Sequence, residues 1–159
     1  MSITNHPPIY LTAEGVKDLR RELDHLVNVK RPALAERLRH AIQQGDLTEN
    51  ADYTAAKEEQ GFLEGRIQQI ETMLLRAKII EENGPTDKVS LGNRVTVVED
   101  GADDEEVFQI VGPAEARPAN GKISYESPLG QTLLGRQVGD TVTVEAPGGE
   151  VAFKITDIQ

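Results

Sequence analysis

The sequence predicts an α+β protein. An N-terminal antiparallel coiled-coil hairpin of two α-helices occupies residues 1–82, and a small α+β domain occupies residues 83–159. Three observations predict this. A heptad seam runs through residues 56–77, and Asn83-Gly84-Pro85-Thr86-Asp87 is a linker by composition. Beyond that linker the apolar period changes from the helical value to two.

The first helix starts after Thr12, an N-cap residue ahead of Ala13-Glu14-Gly15. Leu19, Leu23 and Leu26 follow at steps of four and three, and Leu34, Leu38 and Ala41 or Ile42 resume the stripe. Pro32 interrupts it and predicts a kink or brief break, because its ring removes a donor and crowds the preceding turn. Gly45 stands where a helix-ending glycine is expected. In the second helix Ala56, Gln60, Leu63, Ile67, Ile70, Leu74 and Ala77 alternate steps of four and three, with polar residues nearly everywhere else. Two such stripes joined by a short turn can be buried only against each other, as an antiparallel pair. An arm of about 30 residues extends roughly 45 Å, with Gly45-Asp46-Leu47-Thr48-Glu49-Asn50 at its tip.

After the linker, residues 94–98 and 107–111 read as strands joined by an acidic loop, and residues 122–125 as a third. Ser127 can cap a short helix with Pro128 at its first position and Leu129, Leu133 and Leu134 on it, ended by Gly135. Residues 141–145 and 151–158 complete the set, joined by the turn at Ala146-Pro147-Gly148-Gly149-Glu150. One short helix against about five strands makes a small α+β unit.

Composition narrows the function. The net charge is −10, divided as −3 over residues 1–82 and −7 over residues 83–159. Such a chain is not built to grip duplex DNA, which calls for clustered Lys and Arg. Zero cysteines exclude a disulfide framework and a thiolate zinc site. No apolar run approaches the ~18 residues of a membrane span, and the first ten residues lack the basic-then-apolar order of a secretion signal. The expectation is a soluble, cytoplasmic protein with no membrane partner.

The tip carries the chemistry worth weighing. Asp46 and Glu49 fit a capping box that opens the second helix. They also sit at the far end of a long lever, where a fold gains little from them. Two carboxylates three residues apart can share one Mg²⁺, a hard cation that keeps several waters; two acids make half a site, completed by another protein. Leu47, without a core to join, suggests a partner surface. Arg37, Arg39, Lys57 and Arg66 read either as interhelical ion-pair partners or as a modest basic face. The loop Asp103-Asp104-Glu105-Glu106 lacks the glycine and spacing of a calcium loop. His6, His25 and His40 are scattered without metal-ligand spacing.

The run RPALAERLRHAIQQGDLTENADYTAAKEEQGFLEGRI, together with LTAEGVKDLRRELDHL near the start and ISYESPLGQTLLGRQVGDTVTVEAPGGEVAFKITDI near the end, closely resembles the bacterial GreA/GreB family of transcript-cleavage elongation factors. The resemblance implies that the hairpin enters the secondary channel of RNA polymerase while an FKBP-like C-terminal domain docks at the channel rim. It implies that Asp46 and Glu49 serve as catalytic and metal-holding residues. They would help hold a second Mg²⁺ jointly with the polymerase and orient the attacking water, so that the polymerase cuts its own backtracked RNA. Cleavage at the nascent RNA 3′ end would rescue arrested complexes, making the chain a catalytic accessory and not an enzyme. Leu47, Glu126, Ser127 and Pro128 match positions expected to touch polymerase, and Arg37 and Lys57 are the candidates for RNA contact. Thr48 stands where many relatives have Lys, and residues 41–44 carry no basic residue, so the family's basic patch is weak here. Two other readings follow. One is a channel binder that inhibits transcription without stimulating cleavage, though inhibitory relatives alter the acidic tip that this chain keeps. The other is a prolyl isomerase, opposed by an aromatic set in the C-terminal half of only Phe108, Tyr125 and Phe153.

Overall fold

A computed structural model describes residues 6–45, 49–82 and 84–159. The chain divides into two compact units. One is Val16–Arg76; the other joins the segment ending at Gly15 to Ala77–Gln159. Among the described residues, no helix is long and apolar enough to cross a membrane.

The helical unit is the expected antiparallel hairpin. Helix α1 (Ala13–His25) runs through a π-turn at Leu26–Lys30 into α2 (Arg31–Gln43), and α3 (Ala51–Arg76) returns. The π-turn is the structural answer to Pro32. Proline offers no N–H and its ring crowds the carbonyl four residues back, and just ahead of it the Arg31 amide bonds Leu26 across five residues. The backbone widens by one residue and stays helical, so the expected break is a bulge within one continuous rod.

The predicted seam is buried. Ala56, Ile67 and Ile70 are enclosed on α3, Leu34, Leu38 and Ala41 on α2, and Tyr53 and Leu63 pack against Leu34, Leu38 and Ala56. Between the two candidates for the last position of the α2 stripe, Ala41 faces inward and Ile42 is exposed. Ala77, the final seam position expected from periodicity, has left the helix and begins strand β2.

Bidentate ion pairs flank the seam. Arg66 donates from Nε and an Nη to Glu22 at 2.7 and 2.8 Å, and Arg31 donates to Glu64 at 2.8 and 2.8 Å. The hydrogen bonds from Arg31 hold the Glu64 carboxyl below its ordinary range. All four side chains remain open to solvent, Glu22 and Arg66 half-buried and Arg31 and Glu64 exposed, so screening keeps each pair to a minor stabilising part.

Strands β1 (Ile9–Leu11) and β2 (Ala77–Ile79) pair in parallel as a two-stranded sheet that the sequence did not announce. The larger sheet holds β3 (Arg94–Glu99), β4 (Glu105–Val111), β5 (Lys122–Ser124), β6 (Thr141–Ala146) and β7 (Gly149–Ile158) in the order β5-β4-β3-β7-β6. Only β4–β5 is parallel. One face packs a core of Val95, Val97, Ile110, Ile123, Val142, Ile155 and Ile158 with Leu133 of helix α4 (Pro128–Leu133). Each such side chain contributes about 1.5–3 kcal/mol on full burial.

Gly130 of α4 lies hard against β5: a Cβ there would overlap the Ser124 carbonyl. Gly130→Ala should therefore cost about 2 kcal/mol or more of stability, since backbone and not a flexible tip must move. Thermal unfolding of the full chain checks this. The Glu64 shift makes a second prediction. Its carboxyl titrates lower folded than unfolded, so the Arg31–Glu64 contribution is complete above the unfolded pKa and is lost as pH falls through the folded one. NMR titration of Glu64 should show the depressed value, and Arg31→Gln should return it to the ordinary carboxylate range.

Candidate functional site at the helical turn

Helix α2 ends in a tight turn. The Gln44 amide bonds the Ala41 carbonyl at 3.2 Å, and Gly45 takes φ of 110°, a left-handed conformation that suits glycine. Asp46, Leu47 and Thr48 lie outside the described residues. Glu49 is exposed and immediately precedes the cap of α3.

That cap is Asn50. Its Oδ1 accepts the Tyr53 amide at 3.1 Å, the usual reach of an N-cap to the third helical residue. Its Nδ2 donates to the Ala41 carbonyl at 2.8 Å, a second and shorter bond to the oxygen that also accepts the Gln44 amide at the end of α2. A single amide thus ties the outgoing helix to the returning one. The expected capping box is corrected by this geometry: α3 begins at Ala51, so Glu49 precedes the cap and cannot act from the third helical position. Sequence reasoning passed over Asn50, although asparagine ahead of a helical run is itself a start signal.

Charges around the turn divide into two kinds. Arg37 reaches Asp52 at 3.3 Å and Glu59 at 2.6 Å, and its guanidinium is held more firmly protonated by those bonds. Lys57 donates to Gln60 at 3.2 Å, and Arg39 pairs with Glu36 on its own helix. Glu49, by contrast, has neither a hydrogen bond nor an ion pair among the described residues. The basic residues near the turn are therefore mostly engaged with the hairpin itself, and the tip carboxylate faces solvent. Among the described residues, no three His, Asp or Glu side chains gather as a metal site. Glu49 supplies a hard oxygen donor of the type Mg²⁺ takes, and further ligands must come from elsewhere.

In the sheet-bearing unit, Glu126 and Pro128 are exposed and Ser127 is half-buried. The Ser127 hydroxyl accepts the Gly130 amide at 3.1 Å and donates to the Ser124 carbonyl at 2.7 Å, capping α4 as expected. The Glu126 amide donates to Ser124 Oγ at 3.0 Å, so the Glu126–Pro128 bend is held from both sides. Tyr125 meets Tyr10 edge-on with ring centroids 6.0 Å apart. Burial first, then the Glu126 charge, pushes its hydroxyl pKa up. Phe108 and Phe153 pack against the core. The three aromatics weighed for a prolyl-isomerase pocket thus have structural partners.

A second anchoring contact escaped the sequence. Glu115 accepts the Thr12 amide and the Thr12 hydroxyl, both at 2.6 Å, while Thr12 Oγ1 accepts the Gly15 amide at 3.0 Å. Thr12 caps α1 as expected, and Glu115 holds that cap from 103 residues away. A Cβ on Gly15 would overlap the Glu115 carboxylate, which explains the glycine inside the first helical turn.

Removing the Asn50 amide leaves the Tyr53 amide of α3 without its partner and the Ala41 carbonyl of α2 with only its bond from Gln44. Asn50→Ala should cost about 1–2 kcal/mol. It should speed hydrogen exchange in the first turn of α3 while leaving β3 and β7 protected.

Comparison with known proteins yields two family matches. A model for the N-terminal part of transcription elongation factors covers residues 9–79, and a model for the C-terminal part of GreA/GreB transcription elongation factors covers residues 84–159. The chain is 50% identical over 148 residues to the transcription elongation factor GreA of Bacillus subtilis, covering 93% of this chain and 94% of the relative. It is 48% identical over 158 residues to that of Geobacillus kaustophilus, covering 99% and 100%. Among solved structures, GreA factor homolog 1 of Thermus thermophilus aligns at 30% identity with a TM-score of 0.44, over 96% of this chain and 99% of that one.

Proposed function

The chain belongs to the GreA/GreB family of transcription elongation factors, and from that membership we propose that it stimulates RNA cleavage by bacterial RNA polymerase. The hairpin enters the secondary channel of a backtracked elongation complex and brings Asp46 and Glu49 to the active site. The sheet-bearing unit docks at the channel rim through the Glu126–Pro128 bend, and Leu47 touches the channel wall. The factor acts in the cytoplasm as a catalytic accessory without activity of its own.

The observation that carries this reading is Glu49: a solvent-facing carboxylate without an internal partner among the described residues, beside a turn that Asn50 holds. In two-metal phosphodiester hydrolysis, a second Mg²⁺ supplies activation of the attacking water. Asp46 and Glu49 would hold that ion jointly with carboxylates of the polymerase. The carboxylates also accept hydrogen bonds from the attacking water and orient it. Asn50 ties the start of α3, next to Glu49, to the end of α2, and the paired arginines stiffen the helices behind it.

Arg37 and Lys57 remain the candidates for contact with extruded RNA. Arg37 must loosen its bonds to Asp52 and Glu59 to reach a phosphate, whereas Lys57 gives up one bond to a neutral amide. Lys57 therefore carries more of any RNA contact than Arg37 does.

A cleavage assay on stalled, backtracked complexes with the matching polymerase tests the mechanism. Asp46→Ala and Glu49→Ala should each abolish stimulated cleavage, a loss well beyond tenfold, while polymerase binding persists. Mutants that cleave like the parent sink the metal-holding role. Wild-type protein that binds and slows elongation without cleavage indicates the inhibitory alternative. Lys57→Ala should weaken salt-sensitive binding to complexes with extruded RNA more than Arg37→Ala does.

A further inference from the structure

The larger sheet carries a polar cleft far in sequence from the hairpin tip. Side chains alternate across a strand, so Gln109 lies on the face opposite Ile110 and Phe108, and Arg94 on the face opposite Val95. The register sets Arg94 directly beside Gln109 and Gln109 directly beside Lys122. Around the first two, Glu82, Gly92 and Gln159 close a cleft of about 170 Å³. That volume suits one small polar group.

Gln109 is the unusual member. It is only 8% exposed, yet its amide has no hydrogen-bond partner among the described residues. Among the described residues no fully enclosed side-chain N or O atom lacks a partner, so the remaining exposure of Gln109 includes its amide, and the cleft is what it lines. A nearly buried, unpartnered amide is costly unless something arrives to pair with it. Arg94 likewise has no ion pair among the described residues, in a chain with 27 acidic and 17 basic side chains. Gly92 adopts φ of 93°, and a Cβ there would overlap Ile80 and Glu81, so glycine lets the wall of the cleft close in.

We propose that this cleft binds an oxyanion, a phosphoryl or carboxylate group. The Arg94 guanidinium presents planar donors that match such a group bidentately, and the Gln109 NH₂ adds a donor from the floor. Lys122, one strand over, adds positive potential. Glu82 at the rim opposes the anion, but it is exposed and screened, so it weakens binding without preventing it. The site is independent of the tip carboxylates and of cleavage.

Titrating the full-length ¹⁵N-labelled chain with inorganic phosphate, and separately with acetate, reads the cleft through the Arg94 Nε and Gln109 side-chain amide signals. Saturable shifts of both signals with either anion support the proposal, and the ratio of affinities identifies the preferred group. Arg94→Gln should weaken binding by about tenfold or more, while Glu82→Gln should tighten it. Arg94 is exposed and its strand pairing uses backbone groups, so the variant keeps its fold, which amide dispersion verifies. No saturation with either anion, or equal affinity in Arg94→Gln, overturns the proposal.

Discussion

The parallel pairing of Ile9–Leu11 with Ala77–Ile79 is the constraint on which the architecture rests. The strand that precedes α1 and the strand that follows α3 are held side by side, so the chain between them must go out and come back. Closing a segment as long as residues 12–76 costs roughly 4 kcal/mol of chain entropy. Three residues of ladder at about 1 kcal/mol per hydrogen bond cannot offset that alone. Burial of Leu11 in the ladder and of Ile80 just beyond it adds about 1.5–3 kcal/mol each, and the Leu34–Leu38–Ala56 seam along the hairpin supplies more. The pairing and the hairpin therefore stabilise each other. Glu115 strengthens the same junction at Thr12, where α1 begins.

A two-helix hairpin has a single seam and no third layer, so its polar flanks decide register as much as energy. Glu22–Arg66, Arg31–Glu64 and Arg37 with Asp52 and Glu59 join residues whose numbers fall on one helix as they rise on the other. Exposed pairs of this kind stabilise weakly. Slipping one helix by a turn would break all of them together. The bidentate geometry of Glu22–Arg66 and Arg31–Glu64 favours one alignment, and that alignment sets which residues meet at the turn.

Much of this was legible in the sequence because it follows from periodicity. The seam from Ala56 to Leu74, the five strands of the larger sheet and the Ser127 cap each announce themselves within a few residues. What was missed depends on partners distant in sequence. Strands β1 and β2 are three residues long and pair across the whole hairpin, so neither shows enough alternation to be recognised. Ala77 continues the heptad spacing, yet the strand pairing captures it. Glu115 looks like any loop acid until Thr12 is placed beside it. Pro32 signalled a disturbance, and only the backbone shows that a π-turn absorbs it. At the candidate site, the acids stood out by charge while Asn50, whose amide does the tying, did not.

That division of labour bears on how the tip can work. A carboxylate that caps a helix is held by backbone amides and has its charge stabilised there, which makes it a poorer ligand for a metal arriving from outside. Were Glu49 the cap, binding an ion would mean breaking the helix start or sharing its lone pairs with it. Asn50 removes the conflict, because a neutral amide caps α3 and leaves the neighbouring carboxylate without a partner among the described residues. The same logic explains why Asp52, only three residues on, is a poor candidate for such a role: Arg37 already neutralises it. An acid beside a turn that does not depend on its charge is free to answer a charge supplied by another protein.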